Sequence, residues 1–137
     1  ITEDLDLRIR MVNKRLMKYD QAAGEVIEPE LVGPEDYKNL IVCWGSTYHI
    51  VAEAVRNLGR DDLALLHYKQ VYPLPQQTAR YLKKAQKTII AENNATAQLA
   101  KLIKLRTGIE IEYKILKYNG LSFYVEELTE KLNEVLS

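Results

Sequence analysis

Cysteine is almost missing: Cys43 is the only one in 137 residues. One thiol cannot close an internal disulfide, nor supply the four thiolates of an ordinary iron–sulfur site. Neither sign of charge is in excess, with 19 Lys plus Arg against 19 Asp plus Glu. A chain without a basic field lacks what gives most nucleic-acid binders their affinity. The longest apolar runs are about one strand long, well short of the ~20 residues that cross a bilayer. Ile1-Thr2-Glu3-Asp4 is polar and acidic, unlike a signal sequence. No Met opens the chain, which fits either a piece of a longer polypeptide or a processed terminus. These features lead us to expect a cytoplasmic protein with neither nucleic acid nor membrane as partner.

Chemical motifs are also scarce. There is no P-loop and no glycine fingerprint for a dinucleotide. His49 and His67 are the only histidines, and their spacing does not suit a metal. Ser46 does not sit in a nucleophile-elbow sequence. Glu92 has no evident carboxylate partner for acid–base work. We therefore expect no catalytic residue and no metal ligand in this chain.

What is present is the balance of a globular domain, 47% hydrophobic and 28% charged. Leu5, Ile9, Val12, Leu16 and Tyr19 fall on one face of a first helix. Its other side is basic, through Arg8, Arg10, Lys14, Arg15 and Lys18. That side is either a solvated face or a docking surface for an acidic neighbour. Tyr19 to Gly24 reads as a linker, so residues 1–22 are expected as a helix and linker and residues 23–137 as one domain. Within the domain, Val26 to Val32 reads as an edge strand broken by Pro29. Strands then alternate with helices. Leu40–Trp44, Leu63–Tyr72, Thr88–Ala91 and Ile109–Leu116 are the expected strands. The helices fall over Val51–Leu58, Gln76–Lys87, Thr96–Arg106 and a final segment carrying Val125, Leu128, Leu132 and Val135. This order implies βαβ units and a mostly parallel sheet in a doubly wound α/β fold.

Ligands and partners of such sheets meet the carboxyl ends of the strands where strand order reverses. Two strand ends stand out chemically. Gly45, Ser46 and Thr47 follow one strand; Glu92, Asn93, Asn94, Thr96 and Gln98 follow another. Both could merely cap helices and tie loops, or together form a contact site.

Four stretches carry a resemblance. They are Trp44-Gly45-Ser46-Thr47, Glu92 to Ala100, Arg106-Thr107-Gly108-Ile109, and Ile115 to Gly120, with Ile1 to Lys18 as a fifth segment ahead of them. In this order and spacing they resemble the C-terminal domain of the alpha subunit of 2-oxoacid:ferredoxin oxidoreductases. Ser122, Phe123 and Tyr124 depart from that family's pattern ahead of the last helix. The resemblance implies a transketolase C-terminal-like domain: three layers, α/β/α, around a five-stranded mixed, mostly parallel sheet with an antiparallel first strand. It implies an enzyme that uses thiamine diphosphate and Mg²⁺ to decarboxylate a 2-oxoacid, forms acyl-coenzyme A, and passes electrons through iron–sulfur clusters to ferredoxin. The cofactors are then expected outside this segment. Its partners would be the beta subunit, the preceding alpha-subunit domain and a second copy of the chain, and the apolar stripe of the first helix is expected to pack on this domain or on a symmetry-related copy. An alternative reading is a free-standing flavodoxin-like module that binds a small anion or nucleotide at the same strand ends.

Overall fold

The computed structural model describes residues 3–137; Ile1 and Thr2, which open the fifth segment of the resemblance, lie outside them. Five helices and five strands follow in the order α1 (Leu5–Gly24), β1 (Glu30–Val32), β2 (Asn39–Trp44), α2 (Tyr48–Leu58), β3 (Leu63–Tyr68), α3 (Thr78–Lys84), β4 (Lys87–Glu92), α4 (Gln98–Thr107), β5 (Tyr113–Leu116) and α5 (Val125–Leu136). The sheet runs β1-β3-β2-β4-β5. β1 is antiparallel to β3, and the other pairs are parallel. This is the mixed, mostly parallel five-stranded sheet that the resemblance implies.

Alternation along the strands builds two cores. Leu40, Val42, Leu66 and Ile90 point to one face, where Leu82 of α3 and Leu99 and Ile103 of α4 cover them. Ile41, Leu63, Leu65 and Ile89 point to the other face, beneath Val51 and Ala54 of α2 and Leu128 and Leu132 of α5. β2 and β3 are buried almost throughout because helices lie on both faces, which is why they read as continuous apolar runs. Gly59 and Gly108 end α2 and α4 in the left-handed conformation, as a helix stop requires.

Several expected elements are shorter than the sequence suggests, and each has a local cause. β3 stops at Tyr68, opposite Trp44 of β2 and one residue past the Glu30–His67 pair. Beyond it neither neighbour offers a ladder, so Lys69 to Tyr72 leave the sheet. β1 begins only after Pro29, which has no N–H to donate. α3 spans Thr78–Lys84, because Ala85 is already extended and the Gln86 and Lys87 N–H groups bond the Lys38 carbonyl at the start of β4. β5 begins at Tyr113; just before it, the Glu112 N–H donates to the Thr88 hydroxyl rather than to a ladder carbonyl.

The expected linker at Tyr19–Gly24 is a correction in the other direction. It is helical, since Gln21-Ala22-Ala23 continues α1 with good helix formers and no breaker. Asp4 caps the start of α1, its carboxylate accepting from the Leu7 N–H at 2.9 Å.

Candidate functional site

The reversal of strand order lies between β2 and β4, which pair directly through Asn39–Val42 and Lys87–Ile90. The loops that follow these two strands therefore leave the same edge of the sheet side by side.

Glu92, the last residue of β4, joins them. It is fully buried. One carboxylate oxygen accepts from the indole N–H of Trp44 at 3.3 Å, the side-chain amide of Asn94 at 2.7 Å and the backbone N–H of Leu99 at 3.1 Å. The other accepts from the backbone N–H of Ala100 at 3.1 Å. Glu92 thus satisfies two free N–H groups in the first turn of α4 and clamps the end of β2 to that helix. Sequence reasoning left this carboxylate without a partner; its donors lie 48 residues before it and 2, 7 and 8 after it.

The remaining loop residues do several jobs. The Asn94 carbonyl oxygen accepts from the N–H groups of Thr96 at 3.0 Å and Gln98 at 3.3 Å, so Asn94 ties the loop and opens α4. Between them Ala97 takes φ +50°, the left-handed region, and is buried. Asn93 donates its amide to the carbonyl of Leu121 at 3.2 Å and to that of Lys117 at 3.4 Å. Gly45 takes φ +57° and starts a short 3₁₀ turn, Gly45–Thr47. Thr47 does not cap α2; its hydroxyl donates back to the Trp44 carbonyl at 2.8 Å. Gln98 is exposed on the first turn of α4.

The candidate residues consequently separate. Ser46 and Asn93 line one crevice of about 410 Å³ together with Lys117, Tyr118, Leu121 and Ser122. Thr96 lines a different hollow, beside Lys101 and Lys104. Glu92, Asn94 and Thr47 are engaged in bonds within the loops. The third wall of the crevice, Lys117 to Ser122, was not anticipated as part of a site. The signal for it was available: β5 is parallel to β4, so its carboxyl end must emerge at the same edge. The Lys117 ammonium is buried, pairs with Glu127 and lies 4.4 Å from the centre of the Tyr124 ring. The two lysine contacts of Glu127, Lys117 and Lys131, hold its carboxyl down at about 2. Tyr118 and Leu121 stand exposed on the rim.

Two other features bear on chemistry. A groove of about 760 Å³ lies between α2 and the β1–β3 edge, lined largely by apolar side chains such as Val32, Ala52, Val55 and Leu65, and reaches Tyr48 and His49 at the start of α2. His67, near the end of β3, is buried with neither ring nitrogen hydrogen-bonded and with its ring 4.4 Å from that of Tyr48. Burial pushes its pKa below the usual value, and the Gly45 backbone and Glu30 only partly offset this. The Cys43 thiol is fully buried and pushed up to about 12, so it stays protonated. Among the described residues no group of three or more His, Cys, Asp or Glu could hold a metal ion. Among them, too, no helix is long and apolar enough to cross a membrane.

No family model matches the chain. It is 32% identical, over 99% of its length, to the alpha subunit of 2-oxoacid:ferredoxin oxidoreductase 1 from Sulfurisphaera tokodaii, and 31% identical to the corresponding subunit from Saccharolobus solfataricus. It spans 22% of the length of either relative. Among solved structures, the alpha chain of a probable 2-oxoacid ferredoxin oxidoreductase from Thermoplasma acidophilum is 34% identical with a TM-score of 0.56; the match covers 80% of this chain and 97% of that one. The 2-oxoglutarate:ferredoxin oxidoreductase from Magnetococcus marinus, a structure with 2-oxoglutarate, coenzyme A and succinyl-CoA bound, shares the fold with a TM-score of 0.85 at 24% identity. That match covers 99% of this chain and 24% of the other.

Proposed function

The chain belongs to the family of 2-oxoacid:ferredoxin oxidoreductase alpha subunits, and we propose that it serves there as a non-catalytic, architectural and subunit-contact domain. The observation that carries this reading is the state of Glu92. The carboxylate at the end of β4, beside the reversal of strand order, accepts from four protein N–H groups, three on one oxygen and one on the other. A fully buried carboxylate so engaged holds two strand ends and the start of a helix together.

The whole enzyme would oxidise a 2-oxoacid with thiamine diphosphate and Mg²⁺, form an acyl-coenzyme A, and pass electrons through iron–sulfur clusters to ferredoxin. We assign none of their ligands to this segment. Its one cysteine is buried and protonated, and it has no cluster of metal-ligating side chains among the described residues. Their ligands are assigned to the rest of the assembly, the preceding part of the alpha subunit and the beta subunit. A cytoplasmic location goes with this assignment.

The crevice is the contact surface in this proposal. Ser46 sits on its wall, and exposed Tyr118 and Leu121 offer apolar area that a neighbouring subunit would cover. The test uses the complete alpha and beta subunits. Ser46→Trp fills the crevice from an exposed position, and Tyr118→Ala removes rim area. Both variants should keep the melting temperature of the free alpha subunit and retain less beta subunit on co-purification, with activity falling in proportion. Normal assembly with lost turnover would make the crevice part of the chemistry. Normal assembly and normal turnover would remove it from function.

A further inference from the structure

α1 has 20 residues and buries none of them. Leu5, Ile9, Val12, Leu16, Tyr19 and Ala23 follow one another at steps of four and three. That spacing draws a seam straight along one side of a helix, as in helices that pack along their length. The end of the seam is partly covered. The Tyr19 ring lies 5.8 Å from that of Tyr72, and Tyr19 and Ala23 line a cleft with Pro73, Leu74 and Arg106. The rest runs out past the domain, with Leu5 72%, Ile9 57%, Val12 39% and Leu16 58% exposed. The bare part continues an existing intramolecular contact for about three further turns.

The flanks state what chemistry would cover it. Arg8 and Arg15 border the seam on one side, and Asp6, Asn13 and Asp20 on the other. Two copies pairing antiparallel through this seam would set arginine flank against arginine flank and acidic flank against acidic flank. A second copy is disfavoured in that arrangement; a parallel pair, which would set Arg15 against Asp20, is left to the test below. The structural neighbour that aligns with 99% of this chain, α1 included, carries the matched segment as 24% of its own polypeptide. A surface tethered on the same polypeptide faces α1 at an effective concentration on the order of millimolar, ahead of any separate subunit.

We infer that α1 docks through Leu5, Ile9, Val12 and Leu16 onto the remainder of the same alpha-subunit polypeptide. The receiving surface is an apolar furrow with an acidic wall facing Arg8 and Arg15. This rests on the proposal that the chain is part of a longer alpha subunit, and it assigns to that subunit a second, separate contact.

In the assembled alpha–beta enzyme, a benzophenone amino acid would be placed at position 9, at position 16, or at position 14 on the opposite side of the helix as control. Irradiation should give links from 9 and 16 that leave the alpha subunit at its own mass. These links should map to peptides outside these 137 residues, and position 14 should give none. Adducts between alpha and beta, adducts between two alpha subunits, links confined to these 137 residues, or no links at all would each overturn the inference. Hydrogen exchange on the unmodified enzyme guards against a variant that fails to assemble. Slow exchange of the amides of residues 9–16 is expected, and the rapid exchange of a fraying helix would overturn the inference. Neither readout depends on Ser46 or Tyr118, so loss of the crevice reading leaves this one standing, and the reverse.

Discussion

Glu92 is a buried acid that behaves as a structural bracket. Glu92→Gln keeps its shape but exchanges one accepting oxygen for an N–H₂ facing other donors. At least one buried N–H of Trp44, Asn94, Leu99 or Ala100 is then unsatisfied. The expected cost is about 2 kcal/mol, read as a lower denaturation midpoint with unchanged slope. His67 carries a different liability. Its pKa in the fold is depressed below 6.5 by burial, so the unfolded chain takes up its proton first. Its contribution to stability is therefore present above pH 6.5 and is lost as pH falls through the folded value. Denaturant titrations stepped down from pH 7 should show stability declining below 6.5, and His67→Phe should remove that decline. An unchanged slope in the variant would refute the assignment. The sequence marked Glu92 as a residue of interest but gave no hint of its role, because a carboxylate's donors are set by which strands pair. Trp44 becomes its neighbour only once β2 lies beside β4.

Among the elements, β1 and α5 each carry a local device that can be tested. Gly33 closes β1 at φ +119°, and a Cβ there would stand 3.0 Å from the Leu63 carbonyl oxygen. Gly33→Ala should therefore destabilise the domain by about 2 kcal/mol through backbone strain, detectable by thermal or denaturant unfolding. α5 is tied to the end of β5 by Glu127 and buried Lys117. The carboxyl of Glu127, brought down from 4.5 to about 2, contributes stability above pH 4.5 that is lost as pH falls through about 2. Glu127→Gln should flatten the unfolding curve in that window, and it also leaves the Lys117 ammonium without its carboxylate. Element type and order were legible, because β2, β3 and β4 are buried on both faces and write themselves as apolar runs, and because Gly59 and Gly108 mark real stops. Element ends were less legible. Tyr72 looks as strand-like as Tyr68, but only Tyr68 has a partner residue in β2.

At the scale of the whole molecule, the apolar pattern fixes the α/β class, and the resemblance supplied the five-stranded mixed sheet with its antiparallel first strand, which the pattern alone left open. The crevice was half legible: two of its three loops were named from their chemistry, and the third is a product of β5 lying parallel to β4. The helical reach of α1 to Gly24 moves the structural break between helix and domain to the stretch before Pro29, which forms neither helix nor strand. A Glu-specific protease should accordingly cut first after Glu25 and release α1 from an intact remainder; an early cut within the domain would contradict that division. The projection of α1 also has a consequence for how the 137-residue chain scatters X-rays in solution. A compact chain of this length has a radius of gyration of about 14 Å, whereas a 20-residue helix is a rod about 30 Å long. A globule carrying such a rod scatters as a lopsided body, with a radius of gyration above 14 Å and a long shallow tail in its pair-distance distribution. Covering the seam would pull that tail in, and the change in scattering would measure how far the arm had found its seat.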